Sequence, residues 1–291
     1  MPTQLDTPLT DGSRGPRLFS GEVLVFRQVP AARSLVALAQ RRLRACFPEV
    51  EEVATAQHAL SEETFLRRVV GLTADWRKDA EVAEAFTDLL TGLGCDPNET
   101  YVDDFYLRTQ PSRLGRRHRR TRPLHAHRDT WGSNLMAQVN WWLPVTPLTA
   151  ERTLAVFPRY WQQPIANDSA DWDWEELKTA RRRARADGQD PDAAYPTLPQ
   201  PLEPVDQEDA VRLLPEVGDI VAFSAAHLHA SVPNASGLTR FSLETRTLWS
   251  GDLDAGRGAP NLDGRAPRVP REWFRRLSDG TSLAEAWGYP A

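Results

Sequence analysis

Gly218-Asp219-Ile220-Val221-Ala222-Phe223-Ser224-Ala225-Ala226-His227-Leu228-His229-Ala230-Ser231-Val232-Pro233-Asn234 is the stretch on which the reading of this chain turns. Gly-Asp makes a turn, and the short apolar run after it has the length and β-branched content of a buried strand. Two histidines follow, with His227 and His229 expected on the same side of a strand over 227–232. Eleven residues past His229 comes Arg240, in a segment over 239–249 that alternates. Arg240, Ser242, Glu244 and Arg246 share one face of it, and Phe241 and Leu243 take the other. An arginine on a β wall beside a hydroxyl suits a carboxylate, because its guanidinium offers a planar fork of permanently charged donors.

Working outward, the first third of the chain reads helical. Residues 30–47 carry Leu35, Val36, Leu38, Ala39, Leu43 and Cys46 at helical spacing. Ser61 is placed to cap a second helix, with Thr64 where a glutamate is usual. A third helix spans about 79–93 and stops at Gly94. After Asn98 the period changes to two. Residues 101–108 read as a strand with Asp104, Tyr106 and Arg108 on one face. Residues 134–143 alternate between Leu135, Ala137, Val139, Trp141 and Leu143 and a mostly polar face holding Gln138, Asn140 and Trp142. Short strands follow at 153–157, 211–214 and 220–223. Residues 171–187 form a helical insertion, acidic at its start and rich in arginine at its end, as the helix dipole favours. A short helix is expected near 271–277.

Helices first and then about eight short strands imply a mainly β fold with flanking α: an antiparallel sandwich or barrel buttressed by N-terminal helices. The whole of 1–291 reads as one domain. Residues 1–99 form helical support, 100–250 the core with its insertion near 165–205, and 251–291 a tail. The 23 prolines favour short elements over a helical bundle. A net charge of −5 argues against nucleic acid as partner. No apolar run approaches the roughly 20 residues of a membrane span, and residues 1–6 show no secretory pattern. Cys46 and Cys95 are far apart, so a reducing, cytoplasmic location is the default.

Four of the six histidines lie in two tight pairs. The first is in Leu124-His125-Ala126-His127-Arg128-Asp129. On an extended segment His127 and Asp129 project from one face and can meet one metal. A third ligand from the second pair would complete a triangular face. Two imidazoles and a carboxylate leave the opposite positions open, as a non-haem Fe(II) oxygenase requires for a co-substrate and dioxygen. Zinc is the weaker alternative, since structural zinc favours four closed ligands, often cysteine.

His127-x-Asp129, His229-x-Ser231-x-x-Asn234 and Arg240 together resemble the phytanoyl-CoA dioxygenase-like branch of the Fe(II)/2-oxoglutarate-dependent oxygenases, over about half of the chain. The resemblance implies a double-stranded β-helix, the jelly-roll or cupin-like core, with iron held by His127, Asp129 and His229. It implies that Arg240, assisted by Ser231, binds the distal carboxylate of 2-oxoglutarate. It favours His229 over His227, leaving His227 a pocket-lining role, and Arg240 over Arg246, the second candidate for the carboxylate. The implied reaction hydroxylates a small-molecule substrate with dioxygen while 2-oxoglutarate is decarboxylated to succinate and CO2. Desaturation or cyclisation on the same centre, and a non-catalytic jelly-roll binding protein, are the alternatives. Asp129 disfavours halogenation, because halogenases of this fold lose the carboxylate ligand. The chain departs from the family where a Pro-Gly-Ser-His segment is common; Phe157-Pro158-Arg159-Tyr160-Trp161 stands there instead.

Polar faces inside a barrel imply a ligand cavity. Gln138 and Asn140 are therefore expected near the co-substrate, and Tyr106, Arg108, Trp142 and His227 near the substrate. The acid-free run Arg113, Arg116, Arg117, Arg119, Arg120 and Arg122 reads first as a solvated basic loop, and second as a means of gathering an anionic substrate.

Overall fold

The computed structural model describes residues 2–113, 121–189 and 194–287. Eleven strands lie among them: β1 (Thr3–Leu5), β2 (Val23–Phe26), β3 (Thr100–Val102), β4 (Tyr106–Gln110), β5 (Val139–Pro144), β6 (Leu154–Val156), β7 (Val211–Leu213), β8 (Ile220–Ser224), β9 (His229–Ser231), β10 (Arg240–Trp249) and β11 (Arg275–Arg276). Eight form one sheet, in the order β1-β2-β8-β5-β10-β3-β11, with β4 joining β3 along the same edge of β10. The other three form a small sheet, β7-β6-β9. β1 and β2 run parallel, and the remaining pairs are antiparallel. The expected β-rich fold with flanking helices is present.

The two faces of the large sheet have opposite chemistry because side chains alternate along each strand. Leu107, Val139, Trp141, Leu143, Ile220, Ala222, Phe241 and Leu243 point to one side. There they join one buried cluster with the helices Pro30–Cys46, Glu62–Trp76 and Ala80–Gly92. Arg108, Asn140, Trp142, Arg240, Glu244 and Arg246 occupy the other side, as the pairings Ser242↔Arg108, Glu244↔Trp142 and Arg246↔Asn140 require.

The helical expectations hold locally. Thr64 N donates to Ser61 Oγ (3.3 Å), so the residue read as a cap is one. The third helix ends at Gly92 and is terminated by Gly94 in the left-handed region (φ +89°), where a Cβ would stand 2.5 Å from Leu9 O. The insertion helix, Trp174–Ala186, is capped by Asp173, whose Oδ1 accepts from Glu175 N (2.7 Å) and Glu176 N (3.2 Å).

Other expectations need correction. The first third is not wholly helical: Val23-Leu24-Val25-Phe26 is a fully buried strand next to β8. Residues 134–138 are not strand. A short helix, Thr130–Ser133, ends at Asn134 in the left-handed conformation, which delays β5 to Val139. Residues 227 and 228 are not strand: they follow the turn at 225–226 and precede β9. Residues 271–277 form a 3₁₀ turn and then β11 rather than a helix.

The most consequential correction is in 101–108, which is two strands. Val102 pairs with Thr247 and Tyr106 with Glu244, so Asp103, Asp104 and Phe105 stand opposite only Arg246 and Thr245. The one-residue bulge shifts side-chain parity. Asp103, not Asp104, joins Tyr106 and Arg108 on the polar face; Asp104 pairs with Arg77 at the surface, and Phe105 stacks on Phe86.

Candidate metal centre

His127 and His229 face one another across a narrow antiparallel bridge, exchanging both backbone hydrogen bonds (N to O, 3.0 Å each way). Ser231 N also donates to Leu124 O (3.0 Å), so the segment before His127 lies along the free edge of β9. Directly opposed residues in such a bridge have Cα atoms about 5.5 Å apart, and the two rings here stand 4.3 Å between centroids.

Each ring is fixed by its Nδ1. That of His127 donates to His125 O (2.8 Å) and that of His229 to His227 O (3.0 Å). Both rings are thereby left with an Nε2 lone pair, the usual arrangement of metal-binding imidazoles. His127 Nε2 is buried without a hydrogen-bond partner. Asp129 is not on an extended segment as expected: it has helical backbone angles (φ −64°, ψ −29°) and opens the helix Thr130–Ser133. The turn still brings its Oδ1 to 3.3 Å from His127 Nε2. One ligand atom from each of His127, Asp129 and His229 lies within 4.8 Å of the others, and all three residues are buried. Two imidazole nitrogens and a carboxylate oxygen converging in a buried site form a donor set that fits a metal ion. The set of two imidazoles and one carboxylate suits iron(II).

The electrostatics agree. Burial pushes the Asp129 carboxyl up, but the Arg246 charge and the two imidazoles outweigh it and hold the group well below the usual carboxylate range. Burial, reinforced by His127, pulls the His229 imidazole down to about 4, so it is neutral and able to bind metal at physiological pH.

A cavity opens beside the triad, lined by His127, Asp129, His229, Ser231 and Arg240. Arg240 is buried. Its Nη1 donates to Thr153 O (2.8 Å), its Nη2 lies 3.5 Å from Ser231 Oγ, and its Nε has no partner. It forms no ion pair among the described residues, and burial pulls its pKa down to about 10, which leaves it charged. Arg246, the competing candidate, is already engaged: Nη1 with Asp103 Oδ2 (2.9 Å), Nε with Asp129 Oδ2 (3.2 Å) and Nη2 with Glu244 Oε1 (3.8 Å). Arg108 is likewise paired with Glu244 (2.7 Å).

Asn140, Trp142 and Arg108 also line the cavity. Asn140 Nδ2 donates to Asp129 Oδ2 (2.6 Å), so it touches a candidate ligand directly. Gln138 sits one step behind, its Nε2 on Asn140 Oδ1 (3.2 Å). Tyr106 lies beneath the arginines, its ring 5.0 Å from the Arg108 guanidinium and 5.4 Å from that of Arg246. His227 is outside the lining. Its Nε2 bonds Gly21 O (3.1 Å) and its ring packs on Trp161 at 4.4 Å, because the turn before β9 aims it away from His229. Asn234 is also outside, tying its turn to Gln110 O and Leu238 O. Of the arginine run, Arg116, Arg117, Arg119 and Arg120 lie outside the described residues. Arg122 lines the cavity, with its Nη2 on Thr197 Oγ1 (2.8 Å).

Sequence reasoning missed Asp103 and the tie between Arg246 and Asp129. The Asp103-Asp104 pair ahead of an alternating strand was the one local hint of a bulge.

No family model matches the chain, and no curated protein matches it. Among solved structures it is similar to SnoK, a non-heme alpha ketoglutarate dependent carbocyclase from nogalamycin biosynthesis (16% identity, covering 92% of this chain and 98% of that one, TM-score 0.42). It is similar to the epimerase SnoN in complex with Fe3+, alpha ketoglutarate and nogalamycin RO (15%, 88% and 93%, TM-score 0.42). It is also similar to EvdO2 from Micromonospora carbonacea var. aurantiaca complexed with 2-oxoglutarate (16%, 84% and 94%, TM-score 0.44).

Proposed function

We propose that this chain is a non-haem Fe(II)/2-oxoglutarate-dependent oxygenase that hydroxylates a small-molecule substrate. One observation carries the reading: a buried His127-Asp129-His229 cluster shares its cavity with a buried arginine that has no carboxylate partner among the described residues. A dicarboxylate co-substrate satisfies both halves, chelating the metal with one end and pairing with Arg240 at the other.

His127 Nε2, Asp129 Oδ1 and His229 Nε2 would hold the iron, which supplies dioxygen activation coupled to oxidation of 2-oxoglutarate to succinate and CO2. Arg240 binds the far carboxylate, with Ser231 Oγ as second donor and the Trp142 ring beside the guanidinium (5.9 Å). Low dielectric around a buried cation strengthens that pair. Asn140 keeps the Asp129 carboxylate in place, and Gln138 keeps Asn140 in place. Arg108 and Trp142 face the substrate side, with Tyr106 supporting the arginines from below. His227 is assigned no contact with substrate.

On this reading the large and small sheets are the two halves of a double-stranded β-helix, and the phytanoyl-CoA dioxygenase-like branch is the family. The chain acts as one domain, in the cytoplasm, without nucleic acid. No helix among the described residues is long and apolar enough to cross a membrane.

The test is turnover. Purified protein supplied with Fe(II), 2-oxoglutarate and dioxygen releases succinate, and a panel of small molecules identifies the substrate by raising that rate. Absence of succinate from wild-type protein shown to contain iron refutes the reading.

A further inference from the structure

We propose that Arg246 is a positioning residue that makes Asp129 a one-oxygen metal ligand. The inference rests on the metal-centre reading above and on nothing about the co-substrate. The two oxygens of Asp129 have different surroundings. Oδ1 faces His127 Nε2 at 3.3 Å, where the ligand atoms converge. Oδ2 receives two donors, Asn140 Nδ2 at 2.6 Å and Arg246 Nε at 3.2 Å. With two donors on Oδ2, rotation of the carboxylate to offer both oxygens to one ion would break a charge-assisted bond in a buried site. The clamp therefore fixes how many coordination positions Asp129 fills, and leaves the others for exogenous ligands.

Arg246 is itself held. The Asp103 carboxylate takes its Nη1 (2.9 Å) through Oδ2, and its backbone N–H (2.9 Å) through Oδ1. Asp103 is there because of the bulge at 103–105; without the extra residue, side-chain parity would turn it away. Tyr106 lies against the Arg246 guanidinium (5.4 Å), and Glu244 stands 3.8 Å from Nη2. Arg246 thus has an acidic partner on two sides besides Asp129, and its presence is not explained as a counter-charge to Asp129 alone.

The sign of one substitution separates positioning from plain electrostatics. A cation beside a metal site repels the ion, so as a charge alone Arg246 weakens metal binding and its neutral replacement strengthens it. As a positioning residue, its replacement weakens binding. Co(II) is the probe, titrated without co-substrate into metal-free protein and followed by its visible absorption. Arg246→Met is expected to weaken Co(II) binding by about 10–100-fold, the usual effect of losing a residue that orients a metal ligand. It is also expected to change the band shape as the carboxylate turns to offer both oxygens. Should Arg246→Met fail to fold, Arg246→Lys, which keeps the charge but loses the fork, is expected to weaken binding in the same direction while melting near the wild type. Unchanged or tighter Co(II) binding in a folded Arg246 variant overturns the proposal. Failure of the wild type to bind Co(II) overturns the metal centre and the inference with it.

Discussion

The guanidinium of Arg240 lies 3.5 Å from Ser231 Oγ, buried, and with no carboxylate paired to it among the described residues. A buried cation of this kind costs stability until a ligand anion arrives. Arg240→Met is therefore expected to raise the melting temperature of the co-substrate-free protein or leave it unchanged. The same substitution should raise the 2-oxoglutarate requirement by about 100-fold, matching the loss of about 3 kcal/mol from a desolvated charge pair. Co(II) affinity should not change. A thermal melt checks the first outcome and calorimetric titration of each ligand the other two; a variant that loses Co(II) binding would place Arg240 in the metal centre instead.

The two histidines of the second pair separate by role. A metal that binds only the folded chain stabilises it by about 2.7 kcal/mol at 100 times its Kd, a shift of several degrees for a chain this long. Co(II) should raise the melting temperature of the wild type and of His227→Ala, but not that of His229→Ala. His227→Ala should lower the metal-free melting temperature, because it opens a hole against Trp161 and leaves Gly21 O unbonded. A lost Co(II) shift in His227→Ala would reverse the assignment.

Alternation along β10 makes adjacent residues unequal. Leu243 is fully buried on the helix-packed face, so Leu243→Ala should cost about 2–5 kcal/mol in denaturant unfolding. Its neighbour Glu244 faces the cavity and pairs with Arg108. Glu244→Gln should alter substrate handling more than stability. Equal losses from the two would mean that the sheet does not divide core from site in this way.

Cys95 gives a chemical check on the core. Burial pushes its thiol up to about 12. The thiolate is the nucleophile, so iodoacetamide at pH 8 should leave Cys95 unmodified in folded protein and alkylate it after denaturation. Mass spectrometry reads the outcome directly. Arg14 Nη2 donates to Cys95 Sγ (3.1 Å) and pairs with Asp11, both buried, so rapid native alkylation would show that this cluster is open to solvent.

These tests follow the line between what was legible in the sequence and what was not. The helix of residues 30–46 and the cap at Ser61 were legible because each rests on local spacing; His127 and Asp129 were legible as a pair, and His229 was preferred to His227 only through the family resemblance. The bulge at 103–105 was not, because alternation runs on either side of it and only pairing with β10 reveals the extra residue. The same holds for Arg246 and Asp129, 117 positions apart in the chain and joined only when β10 pairs with β5. His227 was misplaced because a turn and a strand look alike over five residues. Asp129 was expected on a strand and opens a helix, yet its carboxylate still converges with the two imidazoles, since that depends on where the oxygen ends and not on the backbone that carries it.

Binding of Fe(II) and 2-oxoglutarate together, before any oxygen is admitted, tests the metal centre and Arg240 most directly. Under anaerobic conditions the wild-type protein with both should develop a weak visible absorption band from the chelated complex. His229→Ala should show none, and Arg240→Met should need far more 2-oxoglutarate to reach it. A wild-type protein that binds Fe(II) but gives no band at any 2-oxoglutarate concentration would contradict the account.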